Sequence, residues 1–383
     1  MRVLIVHNAY QQRGGEDAVV EAEIELLRAG GVDVRAYTRH NDELREQGRL
    51  RSAVDALWSR RTTQEVGEVL REWQPDLVHL HNTFPMISPS VAWSASRARV
   101  PVVQTLHNFR LACLQGTMLR DEQPCTRCLG KLPLPGVVHG CYRGSRTQSA
   151  VLAASLILHR SLGTWRTKVD RFIALTAFCR DRLVEGGLDA SRIVVQPNFA
   201  DVPAQIPAPR QGLLYVGRLS HEKGIGVLAG ASQGLYAQSL LVAGAGPLAG
   251  LLENSPACRM LGHLDPAGVT ARMARSVALV LPSTCFEGFP RALVEAYACS
   301  LPVIASRLGS LEELVQDGET GLLVDPGDAV ALAEAMRWAL AHPERMAQMG
   351  QAARARYERH FTPQRALDRR LALYAELLAS NAA

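Results

Sequence analysis

Residues 278–305 read ALVLPSTCFEGFPRALVEAYACSLPVIA, and this stretch decides the fold class. It starts with an apolar run, Ala278–Leu281, continues through a loop into a segment of helical character, and ends in a second apolar run, Val303–Ala305. Strands that are apolar at every position are typical of a parallel sheet covered on both faces. The order strand, helix, strand therefore predicts one unit of a doubly wound α/β fold.

The same alternation recurs along the 383-residue chain. Ten further apolar runs of this kind predict strands at Val3–His7, Val32–Tyr37, Leu77–His81, Val102–Leu106, Phe172–Leu175, Ile193–Val195, Leu213–Val216, Leu240–Ala243, Met260–Gly262 and Leu322–Val324. Helical spacing between them, as in Ala18, Ala22 and Leu26, predicts helices that cover a parallel sheet. We expect an α/β protein with two doubly wound, Rossmann-like sheets.

A proline-rich stretch divides the chain into two domains of similar size. Residues 201–212 carry three prolines and no apolar period, which predicts a stiff linker. We place an N-terminal domain at 1–203 and a C-terminal domain at 210–361. Thr362 and Pro363 then predict the cap and first position of a terminal helix, 362–383.

Composition limits the classes of function. Hydrophobic residues make up 47% of the chain, charged residues 21%, and the formal net charge is +5. These values exclude a disordered chain and give no reason to expect a nucleic-acid partner. Apolar runs are too short for a membrane span or a secretory signal, so we expect a cytoplasmic protein.

One stretch is more basic than the rest. Residues 139–182 contain eight Lys or Arg and two Asp, interleaved with the apolar run Val151–Leu158 and Trp165. Such a segment fits peripheral contact with an anionic membrane, or a phosphate-bearing substrate. A solvated helical face is the plain alternative.

Two cations follow the first strand of the second domain. The segment VGRLSHEKG, residues 216–224, brings Arg218 and Lys223 into one loop at a carboxyl-terminal sheet edge. An arginine fork and a lysine ammonium suit a diphosphate. Surface cations on a solvated loop are the alternative.

Two carboxylates follow a later strand of the same domain. Glu287 lies in the loop after Ala278–Leu281, and Glu295 lies about a turn inside the next helix, with Pro290 suiting its first turn. Both can reach one ligand at the crevice beyond the strands. Ionised carboxylates are hydrogen-bond acceptors, which suits the hydroxyls of a sugar and a ribose.

Glycines mark two further strand-to-helix turns. Gly14 and Gly15 precede the first helix, where backbone N–H groups can meet an anion, although a tight turn explains them equally well. Gly244, Gly246 and Gly250 loosely imitate a dinucleotide fingerprint, but no acidic residue ends the next strand. A packed turn is the better interpretation, and binding of NAD or ATP by these loops is disfavoured.

In combination, these segments resemble the retaining glycosyltransferases of family 4 over nearly the whole chain. That resemblance implies the GT-B fold, with two Rossmann-like domains facing a cleft and the last helix crossing back. It implies that Arg218 and Lys223 hold the donor diphosphate, and that Gly14 and Gly15 lie under the phosphates from the other domain. Donor contacts would also come from Glu287 with its neighbours Gly288 and Phe289, facing sugar hydroxyls, and from Glu295, facing the ribose.

The resemblance also implies that His107 contacts the donor sugar near the reacting carbon. Asn108 stands where family members often have Asp, which leaves open what orients the imidazole. A buried structural histidine is the alternative. Pro290 stands where Gly is common and has no N–H to donate. The chain has no Asp-x-Asp motif, so we expect no catalytic metal.

Four cysteines, Cys113, Cys125, Cys128 and Cys141, fall within an insertion at about 110–145. The Cys125-x-x-Cys128 spacing and four thiolates suit one structural zinc ion that would order a long loop. Only one close pair is present, so reduced thiols stay an equal alternative, and disulfides fit a cytoplasmic protein least.

We therefore predict a retaining glycosyltransferase of hexosyltransferase type. Its donor would be a nucleotide-diphosphate sugar and its acceptor a saccharide or lipid-linked molecule of cell-surface polysaccharide synthesis. One alternative is a GT-B sugar-nucleotide epimerase, which needs acid and base groups beside the anomeric carbon. Another is a non-catalytic nucleotide-sugar-binding module.

Overall fold

The computed structural model describes residues 1–46, 48–203 and 209–382. The chain divides into two compact units. The first contains Met1–Thr117, Thr126–Pro197 and the residues from Ala366 onward; the second contains Met118–Cys125 and Asn198–Arg365. The middle of the predicted linker, 204–208, lies outside the described residues.

The first unit is built on a six-stranded parallel sheet. Its strands are β1 (Arg2–Ala9), β2 (Asp33–His40), β3 (Leu77–Leu80), β4 (Val102–Leu106), β7 (Arg171–Ala174) and β8 (Ile193–Val195), and two short strands, β5 (Leu119–Arg120) and β6 (Gln123–Pro124), come between β4 and β7 in the chain. The sheet order is β2-β1-β3-β4-β7-β8. All six predicted strands of the first half are confirmed.

The second unit contains a second six-stranded parallel sheet. Its strands are β9 (Leu213–Val216), β10 (Leu240–Ala243), β11 (Cys258–Gly262), β12 (Ala278–Leu281), β13 (Val303–Ser306) and β14 (Gly321–Val324). The sheet order is β11-β10-β9-β12-β13-β14. The chain adds strands toward one edge from β9 to β11 and toward the other edge from β12 to β14, so the winding reverses between the parallel neighbours β9 and β12. All six predicted strands of the second half are confirmed, and the two sheets confirm the predicted doubly wound α/β class.

Helices cover the faces of both sheets. In the first half they are α1 (Gly15–Ala29), α2 (Glu43–Glu46), α3 (Arg49–Leu57), α4 (Arg60–Trp73), α5 (Val91–Arg97), α6 (Leu134–Val138), α7 (Arg146–Ser161), α8 (Thr164–Thr167) and α9 (Ala177–Glu185). In the second half they are α10 (Ile225–Ser232), α11 (Ala249–Glu253), α12 (Pro266–Met273), α13 (Arg291–Ala298), α14 (Ser310–Leu314), α15 (Ala329–Ala341), α16 (Pro343–His360) and α17 (Pro363–Ala382). Short 3-10 turns occupy Ala190–Arg192 and His221–Lys223.

The terminal helix begins where the sequence predicts it. The Thr362 hydroxyl oxygen accepts from the Arg365 amide at 3.3 Å, and Pro363 is the first residue of α17. From Ala366 onward this helix belongs to the first unit, where Tyr374 and Leu377 join a buried cluster with Val3 and Ile5 of β1.

The insertion has more regular structure than the sequence suggested. Strands β5 and β6 form a small antiparallel hairpin, and α6 follows it. Two-residue strands are too short to show a hydrophobic period, which is why sequence analysis did not find them.

The apolar part of the predicted membrane face was wrong. Leu152 and Leu156 of α7 and Trp165 of α8 are buried, so this apolar run belongs to the core of the first unit. A helix that turns one stripe inward accounts for both the apolar residues and the basic residues between them. Among the described residues, we find no helix that combines the length and apolar character needed to cross a membrane.

Candidate functional site

In the second unit, the side chains of interest lie at the point where the strand order reverses. One loop, residues 217–224, follows β9, and another, residues 282–290, follows the neighbouring strand β12. Ligands of open α/β sheets bind beyond the carboxyl ends of strands at such a switch point. The sheet therefore brings Arg218, Lys223 and Glu287 to one edge.

Close backbone packing holds these loops. A Cβ at Gly244 would overlap the carbonyl oxygen of Gly217, and one at Gly246 would overlap that of Leu219. Gly224 has a φ of +70°, and a Cβ there would overlap the carbonyl oxygen of Pro282. The glycines after β10 thus support the Arg218 loop, in agreement with a packed turn rather than a dinucleotide fingerprint.

Arg218 is held by a carboxylate of its own loop. Its guanidinium forms an ion pair with Glu222, and the Ser220 hydroxyl donates to the same carboxylate at 2.7 Å. Burial alone would raise the pKa of Glu222, but these two donors hold it below its usual range. The Arg218 side chain remains 67% exposed, so it can reach a ligand.

Lys223 and Glu287 meet across the two loops. The Lys223 Nζ atom lies 2.6 Å from Glu287 Oε1, and the Ser283 hydroxyl donates to that same oxygen at 2.6 Å. Burial would lower the pKa of Lys223, but the Glu287 carboxylate outweighs burial and raises it. The lysine is therefore charged at neutral pH, and the structure brings the two predicted residues into direct contact.

Glu295 lies on α13 as predicted, one turn after its first residue. Arg291, one turn earlier, donates to Glu295 Oε1 from Nη2 at 2.8 Å and from Nε at 3.1 Å. Phe289 is buried beside this helix. Pro290 is the residue before the helix rather than part of its first turn, because α13 begins at Arg291.

The first unit presents histidines at the ends of neighbouring strands. His81 follows β3 and His107 follows β4, and the Nδ1 atom of His81 lies 2.9 Å from the Nε2 atom of His107. Burial lowers the pKa of His107 and lowers that of His81 well below its usual value. Both imidazoles are therefore neutral at physiological pH.

Behind this pair lies a buried ionic network. His79 Nδ1 is 2.7 Å from the Tyr374 hydroxyl and 3.2 Å from Glu23 Oε1, and Arg370 Nε is 2.8 Å from that carboxylate oxygen. Burial would raise the pKa of Glu23, but Arg370 and His79 lower it to about 2. Ligand atoms of Glu23, His79 and His81 lie within 4.8 Å of one another, as in a metal site. The arginine already neutralises the carboxylate, so we interpret the group as structural.

A pocket opens beside His107. It is lined by His81 and His107 and, among others, by Glu16, Phe84, Asn108 and Arg110. Glu16 Oε2 accepts from the Tyr10 hydroxyl at 2.9 Å and lies 3.4 Å from Asn108 Nδ2. The wall of the pocket thus offers hydrogen-bonding groups next to the two neutral histidines.

The first glycine loop leads directly into α1. The Gly14 amide donates to Asp17 Oδ2 at 2.8 Å, and a Cβ at Gly15, the first residue of the helix, would meet no atom within 4 Å. The Gly15 end of the helix is open to a ligand, whereas the Gly14 amide already has an acceptor.

Two family models match consecutive parts of the chain. The model described as "Glycosyl transferase 4-like domain" matches residues 14–198, and that described as "Glycosyl transferases group 1" matches residues 200–356. The chain belongs to the family-4-like glycosyltransferases. The predicted family is therefore confirmed, and it is a family of enzymes.

Named relatives align with large parts of this glycosyltransferase. A glycogen synthase of Mycobacterium tuberculosis is 29% identical over 76% of the chain and 66% of its own length. A phosphatidyl-myo-inositol mannosyltransferase of Mycobacterium leprae is 32% identical over 52% of the chain and 57% of its own length. The chain thus spans less than two thirds of either relative.

Solved structures share the fold. Sucrose-phosphate synthase from Thermosynechococcus elongatus has a TM-score of 0.74 at 21% identity and covers 99% of both chains. HepE from Anabaena, solved with UDP-glucose, has a TM-score of 0.66 at 18% identity and covers 99% of this chain and 100% of its own. These likenesses confirm the predicted GT-B fold.

The contacts around His107 show which residue orients its imidazole. Asn108 has other partners: its Nδ2 lies 3.4 Å from Glu16 Oε2, and its Oδ1 accepts from the Arg110 amide at 3.0 Å. The partner of His107 is His81, which sequence analysis missed. The pattern His79-Leu-His81 at the end of a strand was the available signal.

The roles of the cysteines stay predictions. All four are partly buried, and each lies in a loop or turn: the Cys113 amide donates to Phe109 at 2.8 Å, that of Cys125 to Met118 at 2.7 Å, and that of Cys141 to Gly136 at 2.9 Å. Thiolates are zinc ligands, but within the described part of the chain no three of these sulfur atoms lie within 4.8 Å of one another, as a formed site would require. Cys125 belongs to the second unit with the β5–β6 hairpin, whereas the other three belong to the first.

Proposed function

We propose that this enzyme is a retaining glycosyltransferase that transfers a hexose from a nucleotide-diphosphate sugar to a saccharide or lipid-linked acceptor in cell-surface polysaccharide synthesis. One observation carries the proposal. Arg218, Lys223, Glu287 and Glu295 lie on two loops and a helix start at the switch point of the second sheet. Cations for a diphosphate and carboxylates for hydroxyls stand together where such sheets bind ligands.

Arg218 and Lys223 would stabilise the leaving diphosphate. Negative charge grows on that group as the bond to the sugar breaks, so fixed cations there lower the barrier. Glu287, whose Oε1 accepts from Lys223 and Ser283, would direct its carboxylate toward sugar hydroxyls. Glu295, anchored by Arg291, would accept from the ribose.

His107 would lie beside the reacting carbon. Because burial lowers its pKa, the imidazole is neutral and can hydrogen-bond to a sugar hydroxyl without placing a charge there. For retention, the acceptor hydroxyl attacks the face from which the diphosphate leaves. The bond from the anomeric carbon to phosphate breaks, the bond to the acceptor oxygen forms, and the acceptor proton passes to the leaving phosphate.

The names of similar proteins support this assignment. The relatives include a glycogen synthase and a mannosyltransferase, and the HepE structure contains UDP-glucose. Glucosyl and mannosyl donors, starting with UDP-glucose, are therefore the first to test.

The test is incubation with a panel of nucleotide sugars and bacterial saccharide acceptors. We expect release of free nucleotide diphosphate together with a glycosylated product, whose anomeric configuration by NMR equals that of the donor. An inverted product would contradict retention. An isomerised sugar nucleotide would instead indicate an epimerase. Binding without turnover would indicate a non-catalytic nucleotide-sugar-binding module.

Peripheral membrane contact is part of the proposal, on a revised surface. Leu50 and Val54 of α3 are 86% and 59% exposed, and Leu134 and Val138 of α6 are 54% and 60% exposed. Both helices contact α7, and Arg51 lies exposed beside Leu50. Exposed apolar side chains next to cations suit an anionic bilayer surface.

Liposome co-sedimentation tests this surface. We expect binding to vesicles with anionic lipid that decreases at high salt and in the Leu50→Ser, Val54→Ser variant. Val330→Ser is the matched control, because Val330 is 69% exposed but lies on α15 of the second unit. No binding at low salt would remove membrane contact from the proposal.

We also propose that Cys113, Cys125, Cys128 and Cys141 bind one structural zinc ion that orders the insertion. Elemental analysis of protein purified without chelator should give about one equivalent of zinc per chain, with catalysis independent of added metal. Less than about a tenth of an equivalent, with four titratable thiols in the segment, would rule the site out.

A further inference from the structure

One cation in the pocket beside His107 has no carboxylate partner. The Arg110 guanidinium lies 5.8 Å from the ring centre of Phe84 and 5.3 Å from that of Tyr142. Its side-chain hydrogen bond runs from Nη1 to the Leu114 carbonyl at the long distance of 3.5 Å. Within the part of the chain that the structure describes, no carboxylate oxygen lies within 4.0 Å of this guanidinium.

Among the side chains that the structure describes, the two buried arginines of the first unit are neutralised by carboxylates, and the partly buried Arg160 and Arg192 donate to backbone carbonyls. Arg39 forms an ion pair with Glu43 at 2.5 Å, and Arg370 forms one with Glu23 at 2.8 Å. Withdrawing a cation from water without a partner is costly, and two aromatic faces offset only part of that cost. Stability alone therefore gives little reason to keep an arginine at position 110.

Polar and aromatic groups surround Arg110. Its own amide donates to Asn108 Oδ1 at 3.0 Å, and Tyr142 packs edge to face on Phe84 with 5.6 Å between ring centres. The stacked guanidinium keeps its planar fork, the geometry that binds a carboxylate or phosphate through two parallel hydrogen bonds.

We propose that Arg110 binds an oxyanion on the acceptor, so that the acceptor is an acidic saccharide carrying a carboxylate or a phosphate. The inference rests on the proposed function and specifies its acceptor. Arg110 and His107 line the same pocket, and so does Glu16. The carboxylate of Glu16 repels an acid and accepts from a hydroxyl, so the acceptor binds with its acidic group at Arg110 and its hydroxyls toward Glu16 and His107.

The experiment uses the intact enzyme and matched sugars. Glucose, galactose and mannose are each titrated by calorimetry as the methyl glycoside, the uronate and the 6-phosphate. We expect at least one acidic member to bind about tenfold to a hundredfold more tightly than its neutral partner, the usual effect of charge-assisted hydrogen bonds. The uronate and phosphate arms distinguish the two sources of the oxyanion.

Two variants assign that preference to one side chain. Arg110→Gln should abolish the preference for the acidic member, and Arg110→Lys should keep part of it. Arg143→Gln is the control: Arg143 lies 5.4 Å from the same Tyr142 ring, yet it is exposed and does not line the pocket. Acidic and neutral sugars that bind equally or not at all, or equal losses in Arg110→Gln and Arg143→Gln, would overturn the inference.

Donor binding separates this inference from the proposed function. Arg110→Gln should bind the nucleotide sugar with the affinity of the unmodified enzyme. Loss of donor binding in that variant would place Arg110 at the donor and overturn the acceptor assignment. An unmodified enzyme that binds no nucleotide sugar would contradict the proposed function, whereas one that binds a donor but shows no acid preference contradicts this inference alone.

Discussion

The two units place their charged and polar side chains on different parts of the fold: on loops beyond the sheet in the second unit, and on a helix and a strand inside the core in the first. In the second unit the ions stand on loops, where Arg218 and Lys223 keep 67% and 31% of their side-chain surface. In the first unit the side chains of Glu23 and His79 keep 4% and 0%. Charges on exposed loops are available to a ligand, whereas buried charges are part of the core that must form during folding. The same architecture thus separates binding groups from stabilising ones.

The largest expected effect tests the buried side of this comparison. Glu23→Gln removes the carboxylate that neutralises Arg370, which is only 9% exposed. Leaving a buried charge unpaired typically costs about 3–5 kcal/mol of unfolding free energy. Urea denaturation measures the loss of unfolding free energy, and amide exchange in β1 and β3 measures it within the first unit.

The control for this variant lies on the same helix. Glu25→Gln changes an exposed carboxylate of α1 and should shift the unfolding free energy by less than about 0.5 kcal/mol. If Glu23→Gln cost no more than Glu25→Gln, the network would not be a stabilising core.

The exposed charges of the second unit are tested at Arg218. Arg218→Ala should reduce turnover and donor affinity about tenfold to a hundredfold, because a charge-assisted hydrogen bond contributes about 1.5–3 kcal/mol. Its unfolding free energy should change by less than about 0.5 kcal/mol. Arg259→Ala, on the exposed edge strand β11, is the control. Unchanged turnover and unchanged donor affinity would refute the phosphate role.

A smaller effect sharpens the comparison within the second unit. Glu295→Gln should weaken free nucleotide diphosphate and intact donor alike by about tenfold, because its partner would be the ribose. Glu287→Gln should weaken only the intact donor. Calorimetry with the two ligands separates the roles, and equal loss for both ligands in both variants would contradict the division.

The two units should also differ in their response to pH. Burial lowers the pKa of His79, His81 and His107, so their stabilising contribution is complete above about pH 6.5 and is lost as the pH falls toward their folded values. The pKa of Lys223 is raised, so its contribution to stability is complete below the usual pKa of a lysine. It is lost only as the pH rises above that value. Each histidine adds at most about 1.4 kcal/mol per pH unit.

Amide exchange between pH 7.5 and 5.5 measures the protection of each unit separately. The first unit should lose protection as the pH falls, and the second should change less. A first unit with constant protection over this range would show that its histidines are not kept neutral by folding.

Sequence analysis found what local patterns encode. Twelve strands followed from short apolar runs, and the positions of Arg218, Lys223 and Glu287 followed from the rule that parallel strands deliver their following loops to one edge. The cap of α17 followed from Thr362 and Pro363. Each of these signals lies within about ten residues of chain.

The missed features depend on contacts between distant segments. Glu23 and Arg370 are separated by 347 positions, and the His81–His107 contact depends on the register in which β3 pairs with β4. No local pattern announces either pair. The α7 error has another cause: a net charge counted along the chain ignores which helical face each residue occupies, and Leu152 and Leu156 share the inward face.

The position of Arg370 and Tyr374 has a consequence for the order of folding on the ribosome. These residues complete the ionic network and the core of the first unit, yet they are synthesised after the whole second unit. A nascent chain that has released β1 to β8 still carries Glu23 and His79 without their partners. The unit that is translated first is therefore the last to become fully native, and a chain that stops before α17 exposes a defect hundreds of residues away from its end.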